Sequence, residues 1–181
     1  MTPKFRLASI TDEFSPDLAT ALEPMAEIGM TGAELRVVWG KNIMDLSDDE
    51  VKRARRMCSD KGMEVIGIAS PVLKCTLPNA PAVDERFQQD MFNAKYSFED
   101  QRALADRALD IADLLDCRIV RVFSYWRSVE PETCFDAVVE AMQWLAEKAA
   151  SRGKIIGLEN EHACNISTAA ESAKVLAKVQ H

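Results

Sequence analysis

The stretch Lys154-Ile155-Ile156-Gly157-Leu158-Glu159-Asn160-Glu161-His162-Ala163-Cys164-Asn165 decides the fold. Its segment Ile155–Leu158 is a short, continuous apolar run, which predicts a strand that is buried on both faces. Polar side chains follow directly, beginning with Glu159. In parallel α/β folds, ligands bind at the carboxyl ends of the strands. Glu159 is therefore the leading site candidate, whereas Glu161 and His162 also fit an ordinary loop.

Composition and charge describe one soluble domain. The chain has 181 residues, of which 48% are hydrophobic and 28% are charged, and this length allows a single domain with its own core. The formal net charge is −7, and no block of lysine and arginine marks a nucleic-acid surface. No apolar run approaches the ~20 residues that a membrane-spanning helix needs. We therefore expect neither a nucleic acid nor a membrane among the partners.

Five cysteines are spread widely along the chain, without a C-x-x-C motif. An odd number at such spacing favours reduced thiols over a disulfide or zinc framework. The first fourteen residues contain only a short apolar run, so no signal peptide is evident. These features predict a cytoplasmic protein.

Apolar strand patterns and helical repeats alternate five times. The predicted strands are residues 5–10, 32–38, 64–69, 118–123 and 155–158. Capping boxes at Ser47–Glu50 and Thr168–Glu171 predict two helix starts, and Pro24 should kink or divide the first helix. Five consecutive βα units predict a parallel sheet, which fits either a doubly wound sheet or a barrel. The lack of a glycine-rich phosphate loop favours the barrel.

The segment of residues 70–96 is too long for an ordinary connection. It contains three prolines and one possible short helix, residues 85–92. Loops of this length are usually lids or binding loops. Because it follows a strand, we expect it on the same face as Glu159, and mobile when no substrate is bound.

Four motifs resemble the xylose-isomerase-like superfamily, which includes sugar-phosphate isomerases and epimerases, ketose 3-epimerases and inosose dehydratases. They are Gly32-x-Glu34-Leu35-Arg36, Ser70-Pro71, Arg121-Val122-Phe123 and Leu158-Glu159-Asn160-Glu161. The last is the most specific. The resemblance implies an α/β fold of the (β/α) TIM-barrel type, with residues 1–181 as a single N-terminal portion of the barrel.

The barrel that this resemblance implies is incomplete. A full TIM barrel takes ~250 residues, whereas the predicted elements give about five βα units of eight. Two explanations remain open: a truncated product of a longer gene, or three strands supplied by a partner chain. In either case the strands at residues 5–10 and 155–158 would be exposed edges, so we expect self-association through them.

The resemblance also implies the chemistry. The glutamate that ends strand five binds a divalent metal in that superfamily, and we assign this role to Glu159, with Mn²⁺, Mg²⁺, Co²⁺ or Zn²⁺ as the cofactor. Such a metal polarises a carbonyl, and a carboxylate can then move the neighbouring proton. Glu159 would thus be both ligand and catalytic group in the isomerisation or epimerisation of a sugar, sugar phosphate or polyol. The other ligands come from strands six to eight, so we expect this chain alone to be inactive.

Five further side chains are candidates for substrate binding. His162 could bind a substrate hydroxyl, Lys74 a phosphate or carboxylate, and Trp126 could form a wall beside the sugar. Glu34 and Arg36 either contact the substrate or pair with each other. Lys74 also fits a solvated loop lysine.

Two alternatives belong to other classes of protein. The same superfamily contains endonucleases that act at abasic DNA sites, which need a histidine-rich site for several zinc ions. The chain has only two histidines and a net charge of −7, and both argue against this activity. The second alternative is a non-catalytic remnant that serves as a binding or assembly module.

Overall fold

A computed structural model of the chain describes residues 5–87 and 95–181. The strands are β1 (Ala8–Ile10), β2 (Gly32–Leu35), β3 (Val37–Val38), β4 (Lys41–Asn42), β5 (Glu64–Ala69), β6 (Ile119–Val122) and β7 (Ile155–Leu158). The α-helices are α1 (Leu18–Glu27), α2 (Asp48–Asp60), α3 (Gln101–Leu115), α4 (Phe135–Ala150) and α5 (Ala169–Leu176). Short 3-10 helices cover Thr11–Glu13, Ile43–Asp45, Glu85–Phe87 and Pro131–Cys134.

The chain divides into two compact units. Unit 1 contains Met1–Ser70 and Arg107–Val120, and unit 2 contains Pro71–Asp106 and Arg121–His181. In unit 1, β1, β2 and β5 are hydrogen-bonded neighbours in that order. In unit 2, β7 is the neighbour of β6, whose residues Arg121 and Val122 belong to this unit. Within the described residues β1 and β7 each have one neighbouring strand, so the five-stranded sheet is open rather than closed into a barrel.

Strands β1, β2 and β5 run parallel, as the sequence predicted. Gly32 pairs with Ala8 on one side and with Glu64 on the other. A Cβ atom at Gly32 would lie 2.8 Å from the Cβ of Ala8 and 3.0 Å from Cγ2 of Ile66. A side chain at this position would therefore overpack the centre of the sheet.

The boundaries of two predicted strands are confirmed and three others differ, of which the fourth, β6, is one residue shorter at each end than the predicted 118–123. β5 and β7 cover the predicted residues 64–69 and 155–158. The first strand begins at Ala8 instead of residue 5, and the preceding Phe5 and Leu7 are 74% and 53% exposed.

The prediction of one strand over residues 32–38 was wrong after Leu35. A carboxylate oxygen of Asp12 accepts the N–H of Val37 at 3.0 Å, which takes this donor out of the parallel ladder. The chain then forms the β3–β4 hairpin. Its two turn residues, Trp39 and Gly40, have φ angles of 53° and 74°, as a type I′ turn requires.

Two helix starts follow the predicted capping boxes. Both capping boxes, Ser47–Glu50 before α2 and Thr168–Glu171 before α5, form in full. Helix α1 is capped by Asp17, whose carboxylate accepts the N–H of Thr20 at 2.9 Å. Pro24 lies inside α1, which continues through it from Leu18 to Glu27. Of the two predicted effects, a division is excluded and a kink stays a prediction.

Part of the long loop is held in place by its backbone. The N–H of Asp84 donates to the carbonyl of Arg127 at 2.8 Å, and that of Val129 donates to Ala82 at 2.9 Å. The predicted short helix is a 3-10 turn over Glu85–Phe87, and residues 88–94 lie outside the described residues.

All five cysteines are buried free thiols, as predicted. Across residues 5–87 and 95–181, no helix has the length and apolar character that crossing a bilayer requires.

Candidate active site

The predicted site lies in unit 2, where two strands end. β6 ends at Val122 and β7 at Leu158. The N–H of Glu159 donates to the carbonyl of Val122 over 3.0 Å. This bond brings the residues after the two strands together, at the edge of the sheet where parallel α/β folds bind ligands.

Glu159 is anchored by an arginine of the neighbouring strand. Nη1 of Arg121 donates to Oε2 of Glu159 at 2.7 Å. The Arg121 side chain is 14% exposed and that of Glu159 is 39% exposed, so the carboxylate remains accessible while its partner is mostly buried. Among the described residues, Oε1 of Glu159 has no hydrogen-bond partner. One oxygen is thus fixed and the other is available to a ligand.

Lys74 approaches the same region from the loop after β5. Its Nζ lies 3.8 Å from Oε2 of Glu161, and both side chains are mostly buried. The same Nζ lies 4.5 Å from the ring centroid of Phe123 and 5.4 Å from that of Trp126. The guanidinium carbon of Arg121 lies 4.4 Å from the centroid of the same Phe123 ring. Two cations therefore contact one buried aromatic ring, and each has a carboxylate partner.

His162 follows Glu161 and contacts its carboxylate. Nδ1 of His162 lies 2.8 Å from Oε1 of Glu161, and the imidazole is 74% exposed. Its ring meets the ring of Phe87 edge to face, with centroids 6.4 Å apart. Because Phe87 belongs to the long loop, His162 lies beside that loop.

Trp126 is half-buried and lies in an isolated antiparallel bridge with Cys164. This bridge joins the segment after β6 to the segment after β7. Direct contacts thus link Lys74 with Trp126 and link Glu161 with both Lys74 and His162. The bond from Glu159 to Val122 holds Glu159 at the end of the same pair of strands.

The backbone beneath these side chains is tightly bonded. The N–H groups of Tyr125 and Trp126 donate to the carbonyls of Leu73 and Cys75, both at 2.8 Å. Leu73 and Tyr125 have φ angles of 62° and 63°. Large side chains rarely adopt this left-handed conformation, and such strain is typical of functional sites.

Asn165 is structural rather than exposed at the site. Its side chain is 2% exposed. Oδ1 accepts the N–H of Ser128 at 2.9 Å, and Nδ2 donates to the carbonyl of Ser124 at 3.1 Å. Both ends of the amide are therefore used to join two loops.

Glu34 and Arg36 lie in unit 1, within and directly after β2. Arg36 makes salt bridges with Asp12 at 2.8 Å and with Glu13 at 2.5 Å. These bonds raise the pKa of the Arg36 guanidinium, against the opposing effect of its burial. The role of both residues in substrate binding stays a prediction.

The thiols near the site are not nucleophiles. Burial raises the pKa of Cys75 and that of Cys164 to about 12 in each case. Both thiols therefore stay protonated at neutral pH, and a protonated thiol is a poor nucleophile.

The described residues do not complete a metal site. No group of three or more histidine, cysteine, aspartate or glutamate side chains among them is arranged to hold a metal ion. Glu159 can supply one carboxylate, whereas catalytic metal sites usually take three or more protein ligands. A divalent cation at Glu159 would need ligands from outside the described residues.

Sequence reasoning assigned no site role to Arg121 or Phe123, and it left Glu161 open between a site residue and an ordinary loop residue. Arg121 was available as a signal, since it is a charged residue inside an otherwise apolar strand. Phe123 had no such signal, because a buried aromatic at the end of a strand is ordinary core.

The family model described as "Xylose isomerase-like TIM barrel" matches residues 22–181 of the chain. No curated protein matches it.

Solved structures share the fold at low sequence identity. D-psicose 3-epimerase from Clostridium cellulolyticum H10, solved with D-tagatose, is 17% identical, with a TM-score of 0.69 over 98% of this chain and 61% of that one. A xylose isomerase-like TIM barrel protein from Mycobacterium smegmatis in complex with magnesium is 17% identical, with a TM-score of 0.61 over 90% of this chain and 53% of that one. AP endonuclease, family 2, from Brucella melitensis is 18% identical, with a TM-score of 0.66 over 99% of this chain and 66% of that one.

The chain spans less than two thirds of the length of each of these three proteins. At such identities the similarity establishes the fold and does not choose between their activities.

Proposed function

The chain belongs to the xylose isomerase-like TIM barrel family, and we propose that it forms part of an isomerase or epimerase acting on a small sugar, sugar phosphate or polyol. The reaction would move a proton on the carbon next to a carbonyl. Glu159 would be the group that moves it.

The observation that carries this proposal is the environment of Glu159. Its carboxylate follows β7, is partly exposed, and is held through Oε2 by Arg121. A general base must be accessible and held in one orientation. Arg121 supplies the orientation and leaves Oε1 for the substrate.

The surrounding side chains suit a polar, hydroxyl-rich ligand. His162 can bind a hydroxyl, Trp126 offers an aromatic face, and Lys74 can bind an anionic group. Lys74 and Trp126 are already in contact, and Lys74 and His162 share Glu161 as a partner. Among the similar structures, D-psicose 3-epimerase was solved with a sugar, D-tagatose.

The divalent metal is also a proposal, and Glu159 is its one candidate ligand in this chain. Glu159 is the residue of this chain that we propose for a divalent cation (Mn²⁺, Mg²⁺, Co²⁺ or Zn²⁺), and one similar structure was solved with magnesium. The described residues are too few to hold such an ion. We therefore assign no step of the reaction to the metal, and we expect no turnover by the 181-residue chain alone.

Self-association through strand edges is also part of the proposal. No residue of β7 is fully buried, and Ile155 is 47% exposed. A strand of this apolar composition is normally covered, and an exposed edge can pair with another chain. We propose a second copy of this chain as the partner, and the cytoplasm, where its free thiols would persist, as the location.

An epimerase assay tests the proposed reaction. Ketoses are incubated with Mn²⁺ or Mg²⁺ and either the chain alone or a longer protein that carries it. Activity is expected in the longer protein, and Glu159→Gln should lower kcat by about 100-fold or more, the range of general-base catalysis. Glu130→Gln, at an exposed position after β6, is the matched control. An active 181-residue monomer would overturn the prediction for the chain alone.

Two other results would identify the alternatives. Cleavage of DNA at abasic sites, with no reaction on sugars, would make the protein an endonuclease. Binding of a sugar without turnover in any longer protein would make it a binding module.

A further inference from the structure

Arg127 is a half-buried arginine of unit 2 that is held at one nitrogen of its guanidinium only. Nη1 donates to Oγ of Ser167 at 3.1 Å and to the carbonyl of Cys164 at 3.4 Å. Nε and Nη2, which lie side by side along one edge, have no hydrogen-bond partner among the described residues. We propose that this edge binds an anionic group of the ligand, either a phosphate or a carboxylate. That the ligand is a sugar derivative rests on the proposed function, whereas the binding of an anion does not.

The same edge of two other arginines in this chain binds a carboxylate. Nε and Nη2 of Arg86 donate to the two carboxylate oxygens of Asp84, at 2.8 and 2.6 Å. In unit 1, Nε and Nη2 of Arg36 both donate to Oδ2 of Asp12, at 2.9 and 2.8 Å. The planar fork of a guanidinium matches the oxygens of a carboxylate or a phosphate in this way. Arg127 presents the same fork without such a partner among the described residues.

The fork of Arg127 is held in one orientation and is reached by solvent. The Ser167 hydroxyl that accepts Nη1 donates in turn to Oε2 of Glu171 at 3.1 Å, and Glu171 also caps α5. Cζ of Arg127 lies 5.4 Å from the ring centroid of Phe87. Neither Nε nor Nη2 is among the buried polar atoms without a partner, so both reach the surface. An anion can therefore meet the fork without any rearrangement of the arginine.

Positive charge is in excess around the fork. Arg86 and Arg127 lie on the same ring, with Cζ atoms 5.6 and 5.4 Å from the centroid of Phe87. Hydrogen bonds from Arg86 lower the pKa of Asp84 against the effect of desolvation, and the charge of Arg127 lowers it further. Two guanidinium groups thus act on one carboxylate, whose oxygens are both bonded to Arg86. A bound anion would balance the second positive charge.

Arg127 adjoins the candidate active site through its backbone and through Phe87. Its N–H donates at 2.8 Å to the carbonyl of Ala163, the residue after His162. The ring of Phe87 contacts the guanidinium, and it meets the His162 ring with centroids 6.4 Å apart. A ligand whose hydroxyl binds His162 can thus present an anionic group to Arg127.

Lys74, the cation that the sequence assigned to an anionic group, is less suited to it. Its Nζ lies 3.8 Å from Oε2 of Glu161, and both side chains are mostly buried. An anion at Lys74 would therefore face the negative charge of Glu161 in a place where water screens it little.

Anion titrations followed by NMR test the proposal. Inorganic phosphate and acetate are added in separate series at constant ionic strength, and the backbone amide signal of Ser167 reports on binding beside the fork. Its shift should saturate in the wild type. Arg127→Met should weaken the affinity by about tenfold, as expected for the loss of charge-assisted hydrogen bonds. Arg127→Lys should also weaken it, because a lysine keeps the charge but cannot form the fork.

The two anions distinguish the two kinds of group. Saturation with phosphate alone assigns a phosphate, and saturation with acetate alone assigns a carboxylate. Either result sustains the proposal, whereas a wild type that saturates with neither anion would overturn it.

Arg56→Met is the matched control, because it removes the same charge from an exposed position of α2. The affinity should stay unchanged in this variant. An equal loss in Arg56→Met would show that binding follows net charge alone, and a loss in Lys74→Met without one in Arg127→Met would place the anion at Lys74. Both results would overturn the proposal. If Arg127→Met does not fold, full affinity in Arg127→Lys would do so.

The anion site and the proposed function can fail separately. In the longer protein that carries this chain, KM should be lower for a ketose phosphate or a keto sugar acid than for a neutral ketose, and Arg127→Met should remove the difference. Anion binding at Arg127 in a protein without activity on sugars would sustain the arginine site and reject the isomerase. Activity that depends on Glu159, with equal KM values and no anion binding at Arg127, would do the reverse.

Discussion

Arg121 and Glu159 form a 2.7 Å salt bridge between two neighbouring strands, although they are 38 residues apart in the chain. The arginine is mostly buried and contacts the Phe123 ring. The glutamate is partly exposed at the end of β7. The bridge thus joins a buried anchor to an accessible carboxylate, which is the arrangement that a general base needs.

This salt bridge should contribute measurably to stability. In a double-mutant cycle with Arg121→Met and Glu159→Gln, we expect a coupling free energy of about 1 kcal/mol, reduced from that of a buried pair by the exposure of Glu159. Arg6 and Glu64 form the matched control, since they are also 2.7 Å apart but are 63% and 61% exposed. Urea unfolding of both cycles gives the comparison. Equal couplings would mean that the burial of Arg121 adds nothing.

Asn165 should matter for stability more than its place in a polar loop indicates. Replacing it with alanine leaves the N–H of Ser128 and the carbonyl of Ser124 without their partner in a buried place. The free energy of unfolding should fall by about 2–3 kcal/mol. Asn160→Ala, at an exposed position of the same loop, should change it by less than about 0.5 kcal/mol. Similar losses in the two variants would contradict the structural role of Asn165.

The capping box of α2 should make stability depend on pH. Hydrogen bonds from Lys41, and then from Ser47, lower the pKa of Glu50 to about 2 from its usual 4.5. A carboxylate whose pKa is lowered by folding stabilises the protein above its unfolded pKa, and this contribution disappears as the pH falls towards the folded pKa. The difference in stability between wild type and Glu50→Gln should therefore be complete at neutral pH and shrink between pH 4.5 and 2.

The same titration of Asp49→Asn is the control, because the Asp49 side chain is 98% exposed. A difference for Glu50→Gln that stays constant down to pH 2 would show that the carboxylate is not held as described.

Much of the fold could be predicted from the sequence because its signals are local. Continuous apolar runs marked β5 and β7, and the hydroxyl and carboxylate of each capping box marked the starts of α2 and α5. Such signals depend on residues within one turn or one strand.

The parts that could not be predicted depend on contacts between distant residues. β2 ends early because Asp12, 25 residues before Val37, takes its N–H. Arg36 pairs with Asp12, 24 residues away, and that partner was not apparent from the pattern around Arg36. The place of Glu159 in the site could be predicted, because it comes directly after its own strand. Its salt bridge with Arg121 could not, because Arg121 belongs to the neighbouring strand.

Self-association through β7 should depend on protein concentration. The sedimentation coefficient should rise with concentration, and Ile155→Lys should suppress this rise by placing a charge on the exposed edge. Ile28→Lys is the matched control, because Ile28 is 57% exposed at the end of α1 rather than on a strand. A monomer at every concentration, or equal effects of the two variants, would exclude pairing through this edge.

The most direct test of the central claim is solvent deuterium exchange into a ketose. The longer protein that carries this chain is incubated with substrate and Mn²⁺ or Mg²⁺ in D₂O, and proton NMR follows the hydrogen on the carbon next to the carbonyl. If Glu159 moves this proton, deuterium should appear at that carbon in the wild type and in Glu130→Gln, and should be nearly absent in Glu159→Gln. Undiminished exchange in Glu159→Gln, in a protein that remains folded, would contradict the assignment of Glu159 as the catalytic group.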